Sequence, residues 1–211
     1  EATAAARAAG GRPANETCVV CIGPVVAPVE LPCGHAYCGA CLAEVRSKGV
    51  TRACPLCRAE LPPGVKGLYE LAMRIYLRIL GMAGRGEARW ASLPAAEKEE
   101  MEEVVTMLTE AAAQGHAGAQ FGLGLLDDEG RGVTRDGDRA IELYTQAGQQ
   151  GDARAHYTLA NLREDERQDV DGAEKAYRAA IEADPGHAGA HHNLGYLLQN
   201  ERKDVDGAIE A

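Results

Sequence analysis

Seven cysteines and one histidine crowd the stretch from Cys18 to Cys57, and no cysteine occurs elsewhere in the 211 residues. Their order is Cys18-x2-Cys21-x11-Cys33-x-His35-x2-Cys38-x2-Cys41-x12-Cys54-x2-Cys57. An odd number of cysteines fits a disulfide framework badly. C-x2-C pairs, by contrast, let a tight turn aim two thiolates at one tetrahedral metal. Zinc takes four such ligands, sulfur at about 2.3 Å and imidazole nitrogen at about 2.0 Å, so eight ligands close two structural Zn2+ sites with no position open for a reactive water. With every thiol engaged, none remains as a covalent nucleophile. His35 is a ligand by its spacing. His116, His156, His187, His191 and His192 fall in turns or on helices, where structural roles are expected, and no catalytic base is nominated.

The elements that hold these ligands must be small. A segment of this length buries too little apolar surface to fold alone, because domains below about 40 residues usually need metal or disulfides. Metal therefore takes the place of a hydrophobic core.

Three Cys, one His and four Cys with these gaps resemble the RING finger family over residues 16–62. LIM-type and PHD-type double zinc modules place the histidine elsewhere in the ligand order, and a redox-active C-x2-C pair is the other alternative. The resemblance implies interleaved ligation, with Cys18, Cys21, Cys38 and Cys41 on one ion and Cys33, His35, Cys54 and Cys57 on the other. It also implies a shallow groove that docks a ubiquitin-conjugating enzyme. Ile22, directly after the second ligand, and Pro55 and Leu56 in the second loop match that groove, and Leu31, Pro32, Gly34 and Tyr37 give the familiar stretch around Cys33 and His35. Arg58 stands where many active members carry an arginine that bridges the conjugating enzyme and its loaded ubiquitin, a task that suits a guanidinium fork. Val45, four residues after Cys41, departs from the tryptophan that many ligases have there. The implied activity is that of a ubiquitin ligase without a covalent intermediate, which orients the thioester instead of acting as acid or base. The rival reading is a non-catalytic zinc-binding scaffold.

Behind the finger the pattern changes at Pro62, Pro63 and Gly64. Leu68, Leu71, Ala72, Ile75, Ile79 and Met82 recur at helical spacing, which predicts a linking amphipathic helix over 65–84. Its apolar face either packs on the first repeat, the favoured reading, or forms a dimer. After a Gly-rich break over Gly81–Gly86, Pro94 opens a helix lined by Met101, Val104, Val105 and Leu108, and Gly115 ends it. Gly115-His116-Ala117-Gly118-Ala119 then returns as Gly151-Asp152-Ala153-Arg154-Ala155 and as Gly186-His187-Ala188-Gly189-Ala190. Leu123, Leu159 and Leu194 share one place in each copy. Ala140 with Tyr144, Ala173 with Tyr177, and a start at Ala208 mark the second helices. Gly130 to Val133 with Asp136 resembles the Sel-one-like repeat, and Asp184-Pro185 resembles the tetratricopeptide repeat. The expected fold is thus a small zinc-stabilised α+β RING module, preceded by a tail over 1–15, and an all-α solenoid of helix hairpins over 94–211 that stops mid-pattern. Such solenoids bind proteins on an extended face, so a protein substrate is an implied partner.

Charge narrows the partners. The chain has 22 Lys plus Arg against 32 Asp plus Glu, a net charge of −10 without a segregated basic patch, which disfavours nucleic acid. No apolar run approaches the roughly 18 residues of a membrane span. Reduced thiolates point to the cytoplasm or the nucleus. Chelation is expected to unfold the finger while leaving the helices intact, because structural zinc supplies on the order of 10 to 16 kcal/mol in small fingers. Circular dichroism checks this: the near-UV signal should collapse with chelator while the helical far-UV signal persists.

Overall fold

The computed structural model describes residues 16–47, 53–60, 63–86, 89–165 and 168–200. The expected tail over 1–15, Pro62 and the expected helix start at Ala208 lie outside them. The chain divides into two compact units, Glu1–Gly64 and Val65–Ala211.

In the first unit, β1 (Thr17–Cys18) pairs antiparallel with β2 (Gly23–Pro24), and β3 (Pro28–Glu30) with β4 (Ala36–Cys38). Helix α1 (Gly39–Ser47) follows, and Ala53 bridges to Glu60 farther on. Isolated two-stranded hairpins of this size are marginal in water. The core offers them little support, since Leu31, Tyr37 and Leu42 pack among Cys18, Cys38 and Cys54. Half of those six buried side chains are sulfur ligands, so the finger is built around its metal sites.

The second unit is helical, and its hairpins begin earlier than the sequence pattern indicates. Helix α2 (Val65–Gly84) buries Leu68, Ala72, Tyr76 and Ile79, while Leu71, Ile75 and Met82 are only partly covered. Tyr76 turns the buried face because its ring stacks on Trp90 and its hydroxyl accepts a 2.6 Å hydrogen bond from Arg131. The helix spans the expected 65–84 and so runs through Gly81, where the Gly-rich stretch begins. Ile79 and Leu80 still pack on the core, and that burial outweighs the roughly 1 kcal/mol penalty of a helical glycine. The chain turns only at Gly86, with φ 75°.

Helix α3 (Ala95–Ala113) packs against α2 and buries Met101, Val104 and Leu108, with Val105 partly covered. Pro94 precedes it, Glu97 sits in its first turn, and Gly115 turns the chain with φ 82°. The chain continues as α4 (Ala117–Glu129), α5 (Gly137–Gly148), α6 (Ala153–Asp165), α7 (Val170–Ala183) and α8 (Ala188–Asn200).

A recurring contact fixes the order of the hairpins. His116 caps α4 and His187 caps α8, each through Nδ1 accepting from a backbone N–H at 3.1 Å. The ring of Tyr69 from α2 lies 4.6 Å from His116, and that of Tyr157 from α6 lies 4.8 Å from His187. Gly118 and Gly189 make room for those two tyrosines. At the intervening copy Asp152 caps α6, and Arg154 replaces the glycine, its guanidinium 4.6 Å from the Phe121 ring of α4. Tyr69 therefore stands to α4 as Tyr157 stands to α8, and α2 with α3 forms a hairpin of the same kind as those that follow. The apolar face of α2 is spent inside the unit, against α3 and α4.

Between the helices of a hairpin the approach is close. A Cβ on Gly124 would lie 2.8 Å from the buried ring of Tyr144, whereas one on Gly81 would meet only the flexible end of Arg85 at 3.4 Å. Gly81→Ala should stabilise the unit by about 0.5–1 kcal/mol through lost unfolded-state freedom. Gly124→Ala should cost about 1 kcal/mol net, because overpacking outweighs that gain. Denaturant unfolding followed by helical circular dichroism distinguishes the two, and equal stabilisation by both would refute the close contact.

Candidate metal centre

The first hairpin carries Cys18 on β1 and Cys21 in its turn, and β4 leads Cys38 directly into α1, which holds Cys41. The turn of the second hairpin carries Cys33 and His35, while Cys54 and Cys57 lie in the turn between Ala53 and Glu60. The eight ligands gather as two groups, Cys18, Cys21, Cys38 and Cys41, and Cys33, His35, Cys54 and Cys57. Chain order and grouping alternate, so each site ties together segments that the other also clamps.

The distances fit zinc. Within each group the ligand atoms lie within 4.8 Å of one another. Cys21 Sγ lies 3.8 Å from Cys38 Sγ, and His35 Nδ1 lies 3.6 Å from Cys33 Sγ and 3.7 Å from Cys54 Sγ. Zinc bonds of about 2.3 Å to sulfur and 2.0 Å to nitrogen give tetrahedral edges of roughly 3.8 Å between sulfurs and 3.5 Å between sulfur and nitrogen. The donor sets, four sulfurs in one and three sulfurs with one imidazole in the other, are those of closed structural zinc sites. Two zinc ions of a RING finger match these groups.

Electrostatics show why a cation is needed. Burial opposes ionisation of Cys18, but backbone N–H groups of Cys21, Cys38 and Val20 donate toward its sulfur and bring it down to about 6. Cys41 is pushed up to about 12 by burial and by the neighbouring sulfurs of Cys21 and Cys18. At the other group burial likewise opposes Cys54, yet the Tyr37 hydroxyl and the backbone N–H groups of Cys57 and Leu56 hold it at about 6, while burial and the same cluster push Cys33 up. The charge of Cys18 thus opposes ionisation of Cys41, and that of Cys54 opposes ionisation of Cys33. Only a bound cation lets all the sulfurs ionise together.

Each C-x2-C turn closes with the same bond. Ile22 N–H donates to the Cys18 carbonyl and Arg58 N–H to the Cys54 carbonyl, both at 2.8 Å. The closure throws the following residue into the left-handed region, φ 57° at Ile22 and 61° at Arg58. For a β-branched residue this conformation is an outlier that costs about 1–3 kcal/mol. Ile22 is nevertheless 85% exposed. Leu56 and Pro55 are exposed within the second turn, Arg58 is exposed after it, and Val45 is half-buried on α1.

Two features escaped sequence reasoning. Val19, Val26 and Val29 add exposed apolar surface to the finger. Tyr37 is fully buried with its hydroxyl 3.1 Å from Cys54 Sγ, a partner that no ligand spacing announces. The signal available was a tyrosine beside a ligand, a residue type that usually finds a hydrogen-bond partner when buried.

Comparison with known proteins agrees with this geometry. The family described as zinc finger, C3HC4 type (RING finger), matches residues 18–57. Human "E3 ubiquitin-protein ligase TRIM65" is 38% identical over 64 residues, covering 30% of this chain and 12% of that protein. Mouse "E3 ubiquitin-protein ligase RNF114" is 40% identical over 75 residues, covering 32% of each. The chain thus spans a third or less of these relatives. For the fold, a Sel1 repeat protein from Oxalobacter formigenes superposes with TM-score 0.54 at 22% identity, over 70% of this chain and 56% of that one. The Escherichia coli antigen c5321, described as displaying an SLR fold, gives 0.51 at 20% identity, over 80% and 37%. Residues 18–57 are a C3HC4 RING finger, and the second unit has the helical-repeat fold of Sel1-like proteins.

Tyr37→Phe should weaken metal binding at the Cys33, His35, Cys54 and Cys57 site by about 10- to 100-fold and leave the all-cysteine site unchanged, since removing an outer-shell donor has that scale of effect. Cobalt substitution separates the sites, because four sulfurs and three sulfurs with nitrogen absorb differently. Equal weakening at both would contradict the assignment.

Proposed function

We propose that this chain is a RING-type ubiquitin-protein ligase. Its finger docks a ubiquitin-conjugating enzyme through Ile22, Val45, Pro55 and Leu56, and its helical repeats recruit a protein substrate. The observation that carries this reading is Ile22: an apolar β-branched side chain held 85% exposed on a left-handed backbone, a costly arrangement whose benefit lies outside the chain. Arg58 shares that backbone conformation at the other zinc turn and extends its guanidinium toward the conjugating enzyme and its ubiquitin. The transfer needs no protein nucleophile, and all seven cysteines are zinc ligands. The gain comes from holding the thioester ready for attack.

The cytoplasm or the nucleus, where thiols stay reduced, is the compartment we assign. A dimer through residues 65–84 would have to use the exposed Leu77, because the face of α2 that carries Leu68, Ala72, Ile75, Tyr76 and Ile79 packs on the core. One observation favours the rival reading of a non-catalytic scaffold: Val45 is small and half-buried, which leaves less apolar surface for a conjugating enzyme to contact.

Purified ubiquitin, activating enzyme and a panel of conjugating enzymes provide the test. The wild-type chain should build ubiquitin conjugates with at least one of them, and Ile22→Ala and Arg58→Ala should each slow the reaction about tenfold or more, the scale of losing a positioned contact. Both variants should keep the wild-type zinc content. No conjugates with any enzyme would favour the scaffold.

A further inference from the structure

Each zinc turn presents its two sulfurs unequally. Cys18 and Cys54, the first ligands of their C-x2-C pairs, are buried, whereas Cys21 and Cys57, the second ligands, are exposed. The Cys18 sulfur also accepts the backbone N–H groups of Val20, Cys21 and Cys38, and the Cys38 sulfur accepts that of Val26 at 3.2 Å. Such donors draw charge from a sulfur and lower its reactivity as a nucleophile. Cys21 Sγ faces solvent, and the sulfur of Cys38 lies 3.8 Å behind it.

The two sites also differ in charge. Four thiolates on one zinc ion carry two negative charges in excess, whereas three thiolates with a neutral imidazole carry one. At the second site the Tyr37 hydroxyl draws on Cys54 as well, 3.1 Å from its sulfur. The sulfurs of the first site are therefore the more electron-rich. Oxidation of a cysteine follows thiolate character and exposure together, and Cys21 combines the more charged site with an exposed position. Cys57 is equally open to solvent but belongs to the less charged site.

We propose that Cys21 is an oxidation site at which hydrogen peroxide opens the finger, through a disulfide to Cys38. The Cys21 thiolate attacks one peroxide oxygen: the S–O bond forms, the O–O bond breaks and hydroxide leaves, so that Cys21 becomes a sulfenic acid. The Cys38 thiolate then attacks that sulfur, the S–S bond forms, and the S–O bond breaks to release a second hydroxide. Two thiolates have together given up two electrons, the peroxide has taken them, and both hydroxides are protonated by solvent to water. Zinc keeps its charge but loses two of its four ligands, and with them its closed site. Cys33 and His35 of the second site lie between Cys21 and Cys38 in the chain, so release of the first ion loosens the segment that holds the other. A single oxidation event thus unfolds the whole module, and a thiol reductant with zinc restores it. This chemistry depends on the metal sites alone and holds whether or not the finger transfers ubiquitin.

The zinc-loaded full chain, treated with a limiting amount of hydrogen peroxide, tests the proposal. Remaining thiols are alkylated, disulfides are mapped by mass spectrometry of the peptides, and released zinc is followed with a chromogenic chelator. Cys21–Cys38 should be the predominant first disulfide, and zinc should appear in step with it. The near-UV circular dichroism should be lost and then regained with reductant and zinc, while the helical far-UV signal persists. Cys21→His keeps a donor set that suits zinc but removes the exposed sulfur, and should slow peroxide-driven zinc release severalfold. The wild-type peptide map stands without that variant. A first disulfide between Cys33 and Cys57 or between Cys18 and Cys21, or undiminished zinc release from zinc-loaded Cys21→His, would overturn the proposal.

Discussion

Mutual repulsion among thiolates governs the first unit. Three or four thiolates held within 4.8 Å cannot all stay ionised without a cation, and the hairpins that hold them are too short to persist without the ligands being tied. Metal and fold are therefore one equilibrium: zinc makes the thiolates compatible, and the tied thiolates make the hairpins compatible with water. Tyr37 belongs to both sides of that equilibrium, filling the small core with its ring while its hydroxyl steadies Cys54.

The second unit rests on different physics. It needs no metal, because stacked hairpins bury small residues and a few rings in a continuous interior: Ala140, Tyr144, Ala173 and Tyr177 are all fully buried. Its repeat is carried less by identical residues than by an equivalent contact, a ring from one hairpin set against the cap or first turn of the next. A histidine with glycine and an aspartate with arginine both satisfy it. Such interchange weakens the sequence signal while preserving the geometry.

That contrast explains how much of the fold was readable beforehand. The zinc ligands follow from covalent spacing, which chemistry restricts tightly, and the structure groups them as the resemblance to RING fingers implies. The later hairpins follow from glycine-led caps. Helix α2 lacks such a cap, so periodicity marked it as a helix without revealing it as the first member of the stack, and its buried face was misjudged because Tyr76 answers to Trp90 and Arg131, both distant in sequence. The hydrogen bond from Tyr37 to Cys54 was hidden for the same reason: it becomes visible only when segments far apart in the chain are brought together.

The backbone at position 22 sets foldability and display against each other. Glycine or asparagine would enter the left-handed region there with little penalty, so a search for heat-resistant variants of the finger would drift toward them. The hardier protein so obtained would have lost its most prominent apolar projection. Robustness of this small module is thus a poor guide to its competence, and variants that melt at higher temperature are the ones to examine first for silence.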